Sequence, residues 1–233
     1  MSTNFTLNAS RNTSDGNQYS TNDFYGTVNT EKIIDQSNNQ LSSNQTAGVN
    51  FSYTEPLGGR KYLEAGYNYR VNRNEVDREV FNRMNGLQEK DLLLSNQYTS
   101  NYTYNRPSLN FRLIRQKFNL TLGAGYQMTR LRGDLISKNA VIDRTFRNML
   151  PVARMNYDFS SFRHLRLDYE TSMREPSVQQ LQPVIDNSDP LNISVGNPEL
   201  KPSYSHNANI NFTTFNPPKF MNFFAFVTAV YQV

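Results

Sequence analysis

Apolar and polar residues exchange places at every second position over long stretches of this chain. From Leu63 the odd positions read Leu63, Ala65, Tyr67, Tyr69 and Val71, against Glu64, Gly66, Asn68, Arg70 and Asn72. Successive side chains of a strand point to opposite faces, so the stretch predicts a strand with one apolar and one polar side. The same rhythm returns at Phe118, Leu120, Leu122, Ala124, Tyr126 and Met128, at Leu165, Leu167, Tyr169, Thr171 and Met173, and at Tyr204, His206, Ala208, Ile210 and Phe212. Weaker versions occupy 3–10, 47–53 and 151–159. One stretch changes parity: its apolar positions are Tyr98, Tyr102 and Tyr104, then Leu109, Phe111 and Leu113. The change falls at Arg106-Pro107, which predicts one long strand with a bulge there. Residues 221–233 are apolar on both faces for several positions. In all, the pattern predicts nine strands, at about 3–12, 44–54, 61–73, 97–113, 118–130, 148–159, 165–174, 203–214 and 221–233.

The connections alternate in length. Short turns at 55–60, 114–117, 160–164 and 215–220 are interleaved with long polar stretches at 13–43, 74–96, 131–147 and 175–202. All the short turns therefore fall at one end of the sheet and all the long loops at the other, as in an antiparallel up-and-down transmembrane β-barrel of the outer membrane. Stretches of ten to twelve residues suffice for a tilted strand to cross a bilayer, and closed sheets satisfy every backbone group in hydrocarbon. No charge falls on the apolar parity of 63–71 or 165–173; charges crowd the other side at Glu64, Arg70, Arg154, Asp158, Arg166, Asp168 and Glu170, predicted to face the lumen. Tyr53, Tyr67, Tyr69, Tyr102, Tyr104 and Tyr157 lie toward strand ends, where interfacial girdles are expected. Nine strands would leave unpaired edges, and bacterial single-chain barrels are even-numbered. The expectation is a partial outer-membrane β-barrel domain spanning 1–233, a segment of a longer chain.

Composition narrows the alternatives. With no Cys and two His among 233 residues, disulfides, Cys-ligated metals and a His-rich metal centre are excluded or disfavoured. The mean hydropathy of -0.68 and the lack of long apolar runs exclude a transmembrane helix. The 12% aromatic content argues against disorder despite the abundance of polar residues. A net charge of +4, spread among acidic residues, gives no nucleic-acid footprint. The N-terminal residues carry no secretory signal. His206 with Ser203 and Ser205 lacks a nucleophile elbow, His164 has no partner in sequence, and Asp186 and Asp189 lack calcium-loop spacing. No enzyme activity, metal or cofactor is expected.

The last long loop and the strand after it are the most specific part of the chain. They run Arg174-Glu175-Pro176-Ser177-Val178-Gln179-Gln180-Leu181, then Pro183, Asp189-Pro190, Gly196-Asn197-Pro198-Glu199-Leu200-Lys201-Pro202 and on to Asn207. This resembles the TonB-dependent receptor barrel, and most closely the related outer membrane β-barrel protein family, in which Arg-x-Pro-Ser…Leu-x-Pro precedes Gly-Asn-Pro-x-Leu-Lys-Pro-Glu and a strand. Ser203 stands where the family usually carries Glu. Gly196 permits unusual backbone angles and Pro198 and Pro202 fix theirs, so the motif is expected to shape the passage from loop to strand and to pack inside the barrel mouth, with ligand contact the lesser role. The resemblance implies an integral outer-membrane protein that draws in a scarce, unidentified solute. Its partners would be membrane lipid, the rest of the barrel, a plug domain and a TonB-type energy-coupling protein. Two rivals stay open: a non-transporting barrel for adhesion or assembly, and a soluble secreted β-sheet binding module.

Overall fold

Strand register turns nine separate alternations into one wall. The computed structural model describes residues 2–24, 30–84, 87–181, 185–186 and 194–233. Its strands are β1 (Ser2–Phe24), β2 (Thr30–Gly58), β3 (Lys61–Met84), β4 (Leu87–Lys90), β5 (Asn96–Ile114), β6 (Phe118–Leu135), β7 (Ala140–Ser160) and β8 (Arg163–Arg174). A helical turn α1 (Val178–Leu181) follows, then β9 (Ile185–Asp186), β10 (Ser194–Val195), β11 (Ser203–Asn216) and β12 (Met221–Gln232). The antiparallel order is β1-β2-β3-β5-β6-β7-β8-β11-β12, with β4 folded back on β3 as a tenth strand, and β9 and β10 paired apart. Since β1 and β12 are the edges, the sheet is a partial barrel.

Leu63 lies beside Phe111, and the same row continues through Leu122, Ala153, Tyr169, Ala208 and Ala229. Nearer the N-terminus Phe5 pairs with Val49 and Val49 with Tyr69. A one-residue slip of β3 or β8 would carry Glu64 and Arg70, or Arg166, Asp168 and Glu170, into this apolar row. None of Leu63, Tyr67, Leu120, Leu122, Leu167 and Ile210 is buried; Leu109 is 53% exposed, Leu122 47% and Val227 60%. So much bare apolar surface on adjacent strands would be unstable in water and is what a lipid-covered wall requires.

Three expectations need correction. The predicted bulge at Arg106-Pro107 is absent: β5 keeps one register against β3 from Lys61↔Leu113 to Arg78↔Asn96, and against β6 it resumes in the same register after the two residues. Proline has no N–H to give the ladder, so pairing lapses there without a shift. The parity change arises because Tyr98, Tyr102 and Tyr104 face inward, which also removes Tyr102 and Tyr104 from the girdle. Lastly, the long polar stretches are built largely as strand. β1 and β2 stay paired out to Phe24↔Thr30, β6 and β7 out to Leu135↔Ala140, and β3 and β4 pair near Met84. Beyond the bilayer both faces of a hairpin meet water, so the backbone ladder persists without apolar alternation. Among the described residues, those of 175–202 alone are mostly outside strands. At the other end the β2–β3 turn is tight, with Gly58 (φ 80), Gly59 (φ 59) and Arg60 (φ 60) all in the left-handed region.

Candidate functional site

The inner face holds a polar trough and, above it, a folded segment pressed against the wall. β8 ends at Arg174, which pairs with Ser203 of β11 and so closes the base of the last long connection. From there the chain turns inward. Ser177 and Gln180 form a reciprocal cap: the Ser177 N–H donates to Gln180 Oε1 (3.0 Å) and the Gln180 N–H to Ser177 Oγ (3.1 Å). This capping box starts the single turn of α1. It aims Val178 (2% exposed) and Leu181 (0%) at Leu131 and Leu135 of β6, with Tyr98, Tyr102, Ile142 and Phe146 packed around them. The contact is close enough that a Cβ on Gly133 would lie 2.9 Å from Val178 Cγ2, so glycine is what admits the helix to the wall.

Polar contacts fix the same segment. Glu175 Oε1 accepts from Thr129 Oγ1 (2.6 Å) and Gln127 Nε2 (2.9 Å), and the Tyr102 hydroxyl donates to the Pro176 carbonyl (3.1 Å). Pro176 is buried. The returning half meets α1 where the Asn197 N–H donates to the Gln180 carbonyl (2.7 Å). Asn197 then organises its own turn, its Oδ1 accepting from the Glu199 N–H (2.9 Å) and its carbonyl from the Leu200 N–H (3.1 Å). Arg144 of β7 donates to the Pro198 carbonyl. Of the sequence motif, then, Arg174, Pro176, Ser177, Leu181, Gly196, Asn197 and Pro198 gather at one place, while Leu200 and Lys201 are exposed and Pro202 leads into β11. Pro183, Asp189 and Pro190 lie outside the described residues.

Below this strut lies a cavity of about 790 Å³, lined among others by Glu64, Arg70, Arg106, Arg112, Arg154 and Glu170. Arg70 stacks over the Tyr104 ring at 4.3 Å, and Asn110 Nδ2 donates to Glu64 (3.2 Å). Of the seven charges named from the sequence, Glu64, Arg70, Arg154 and Glu170 line this cavity, while Asp158 and Arg166 line a smaller one with His164, Asn211 and Thr213. Arg154 lies 3.8 Å from Asp168 and 3.7 Å from Glu170, Arg166 reaches Asp168 at 2.6 Å, and Asp158 meets His164 at 2.6 Å. These pairs are largely solvent-exposed, so each contributes little stability; they set the sign and pattern of the wall. Arg106 and Arg112, which the sequence reading did not single out, are without an ion-paired carboxylate among the described residues and leave the cavity net basic. Also unforeseen was the receiving surface for α1. Its one sequence signal was the parity change at Tyr98, Tyr102 and Tyr104. Among the described residues no group of carboxylate and His side chains is placed to hold a metal.

The sequence model of the Outer membrane protein beta-barrel family matches residues 2–232. No curated protein sequence matches the chain. Among solved structures, the ferripyoverdine receptor of the outer membrane of Pseudomonas aeruginosa aligns at a TM-score of 0.55 and 11% identity, over 98% of this chain and 31% of its own. The alcaligin outer membrane receptor FauA from Bordetella pertussis aligns at 0.54 and 12%, over 99% and 37%. The ferric citrate transporter FecA in its unliganded form aligns at 0.52 and 10%, over 99% and 36%. The chain thus spans about a third of the length of the structures it matches, and the likeness is one of fold.

Proposed function

Because this chain belongs to the outer membrane protein beta-barrel family, we propose that it forms part of the wall of a TonB-dependent-type receptor. In this reading the whole protein carries a scarce solute inward across the outer membrane. One observation carries it: the inner wall combines a net basic, arginine-lined cavity with a segment of the long-loop side folded down over it. A barrel that only anchored or adhered would have no need of a shaped polar interior below its outer loops. The structural neighbours add support, since those named for their cargo handle ferric chelates. In this reading a plug domain occupies the polar interior, and a TonB-type coupling protein supplies the energy from the periplasm.

Ferric citrate, an anionic chelate suited to arginines, is the first solute to test. Cells making the full-length protein are given radioactive ferric citrate with and without a protonophore, and with and without the coupling protein. Uptake that requires the protein, the proton gradient and the coupling partner supports the proposal. Binding or adhesion by cells that never show energised uptake of any chelate would favour the non-transporting barrel.

A further inference from the structure

The two ends of this wall carry opposite charge. The short turns at 55–60, 114–117, 160–164 and 215–220, with Lys61 at the start of β3, carry Arg60, Lys61, Arg115, Lys117, Arg163 and Lys219 against Glu55, and the one carboxylate directly beside them, Asp158, is taken up by His164. The long connections at 13–43, 74–96, 131–147 and 175–202 contain nine cations against fifteen carboxylates. None of the six turn cations has a carboxylate ion pair among the described residues. The turns are also tied edge to edge. The Ile114 N–H donates to the Arg60 carbonyl (2.9 Å), Arg115 Nη1 to the Gly59 carbonyl (2.6 Å), the Asp158 N–H to the Lys117 carbonyl (2.8 Å) and the Phe215 N–H to the Phe162 carbonyl (2.8 Å). The cations therefore ring one continuous rim.

Directly beside that rim the lipid-facing wall carries a belt of rings. Phe118 contacts Tyr157 (centroids 6.3 Å), Tyr157 contacts Phe159 (4.7 Å), Phe159 contacts Phe212 (6.3 Å), and Phe212 contacts Phe223 (6.4 Å). Such belts sit at headgroup depth, which places the cations level with lipid phosphates and not out in the periplasm. Between the β7–β8 and β11–β12 turns opens a cleft of about 650 Å³. Arg163 and Lys219 line it together with Phe162, Phe215, Met221 and Phe223, so it offers cations for a phosphate and apolar surface for the first acyl carbons. Beside it Phe220, held left-handed at φ 49, is 88% exposed.

We propose that the short-turn rim is a cationic collar that binds the headgroups of anionic phospholipids in the periplasmic leaflet, with the cleft between Arg163 and Lys219 its best-formed seat. The inference rests on the lipid-facing wall and not on transport. The full-length protein is reconstituted into phosphatidylcholine vesicles doped with spin-labelled phosphatidylglycerol or spin-labelled phosphatidylcholine, and the motionally restricted fraction gives the relative association of each. The intact protein prefers phosphatidylglycerol, and the preference falls with salt. Arg163→Gln with Lys219→Gln reduces it by up to about fivefold for each cation removed, whereas Arg163→Lys with Lys219→Arg retains it and shows that the turns still fold. Unchanged preference in the glutamine pair overturns the proposal. So does an equal loss in the control Lys90→Gln with Lys138→Gln at the other end, which would make it a matter of net charge. Displacement of the lipid by inorganic phosphate at matched ionic strength would also overturn it, by assigning the cations to a free anion.

Discussion

Replacing Leu122 by arginine tests the premise of the lipid-facing wall most directly. Leu122 sits on β6 in the apolar row between Phe111 and Ala153, and the uncharged outward positions of that strand run from Phe118 to Met128 before Arg130. Ten residue steps at about 3.4 Å each, tilted by about 40°, give a band of roughly 26 Å, matching the expected height of about 25 Å for the apolar belt. Leu122 lies four steps from one edge and six from the other, close to the midplane. An arginine there is expected to destabilise the barrel by about 2–4 kcal/mol, a loss of roughly thirtyfold to several hundredfold in the folding constant. Thr121→Arg, one residue along the strand and facing the cavity, escapes that desolvation and meets only screened repulsion from its cross-strand neighbours Arg112 and Arg154, so it should cost about 1 kcal/mol or less. The assay is urea titration of the full-length protein refolding into lipid vesicles, followed by tryptophan-free fluorescence labels or by heat-modifiable mobility in gels. Equal costs at the two positions, or a larger one at Thr121, would refute the assignment of the faces.

Other consequences concern the docked segment and its surroundings. Leu181→Ala removes a fully buried side chain from the α1 contact and should cost about 2–5 kcal/mol of docking, read as faster amide exchange over 175–181 while the strands stay protected. Gly133→Val pushes a branched side chain into Val178 and should release the same segment to proteolysis without lowering barrel yield. Glu175→Gln trades a charge-assisted acceptor for a neutral one at Thr129 and Gln127 and should loosen the segment by about 1 kcal/mol, seen as a smaller increase in exchange. Just after β4, burial tends to raise the Asp91 carboxyl, but hydrogen bonds from Asn82, Leu94 and Leu93 outweigh it and hold it below the ordinary 3.8. Its contribution is then present above the ordinary carboxylate range and lost as pH falls through the depressed folded value. Amide protection of 91–95 should fall in strong acid, and Asp91→Asn should make it independent of pH.

What was legible in the sequence follows from which side of the wall is constrained. The outward face must be uncharged at every second step of every strand, so Leu63–Val71 or Leu165–Met173 announce themselves and nine strands could be counted. The inward face obeys no such rule. Tyr98, Tyr102, Leu131, Leu135, Val178 and Leu181 are brought together by register across β5 and β6 and by a loop returning from β8, contacts separated by dozens of residues with no shared period. Read strand by strand, Tyr98–Tyr104 looked like a phase slip; read across strands, it is the seat for α1. The polar hairpins failed for a related reason: where both faces are wetted, Asn, Ser and Thr can pair as strand without leaving a hydrophobic trace. The motif beginning at Arg174 was recognisable as a unit, but its capping box between Ser177 and Gln180 became informative only once it was seen what the capped turn was aimed at.

The length of the β1–β2 hairpin sets where the outside world first meets this molecule. On β2 the apolar outward positions end near Ala47, and the strand extends back to Thr30, about 55 Å of further ladder and, at a tilt of about 40°, roughly 40 Å of height above the bilayer. A palisade of that height rivals the thickness of the membrane itself. Anything approaching from the medium, whether nutrient, antibody or phage tail, would meet this Asn-, Ser- and Thr-rich, net acidic hairpin well before it came near the greasy belt, and its first foothold would be made at arm's length from the opening.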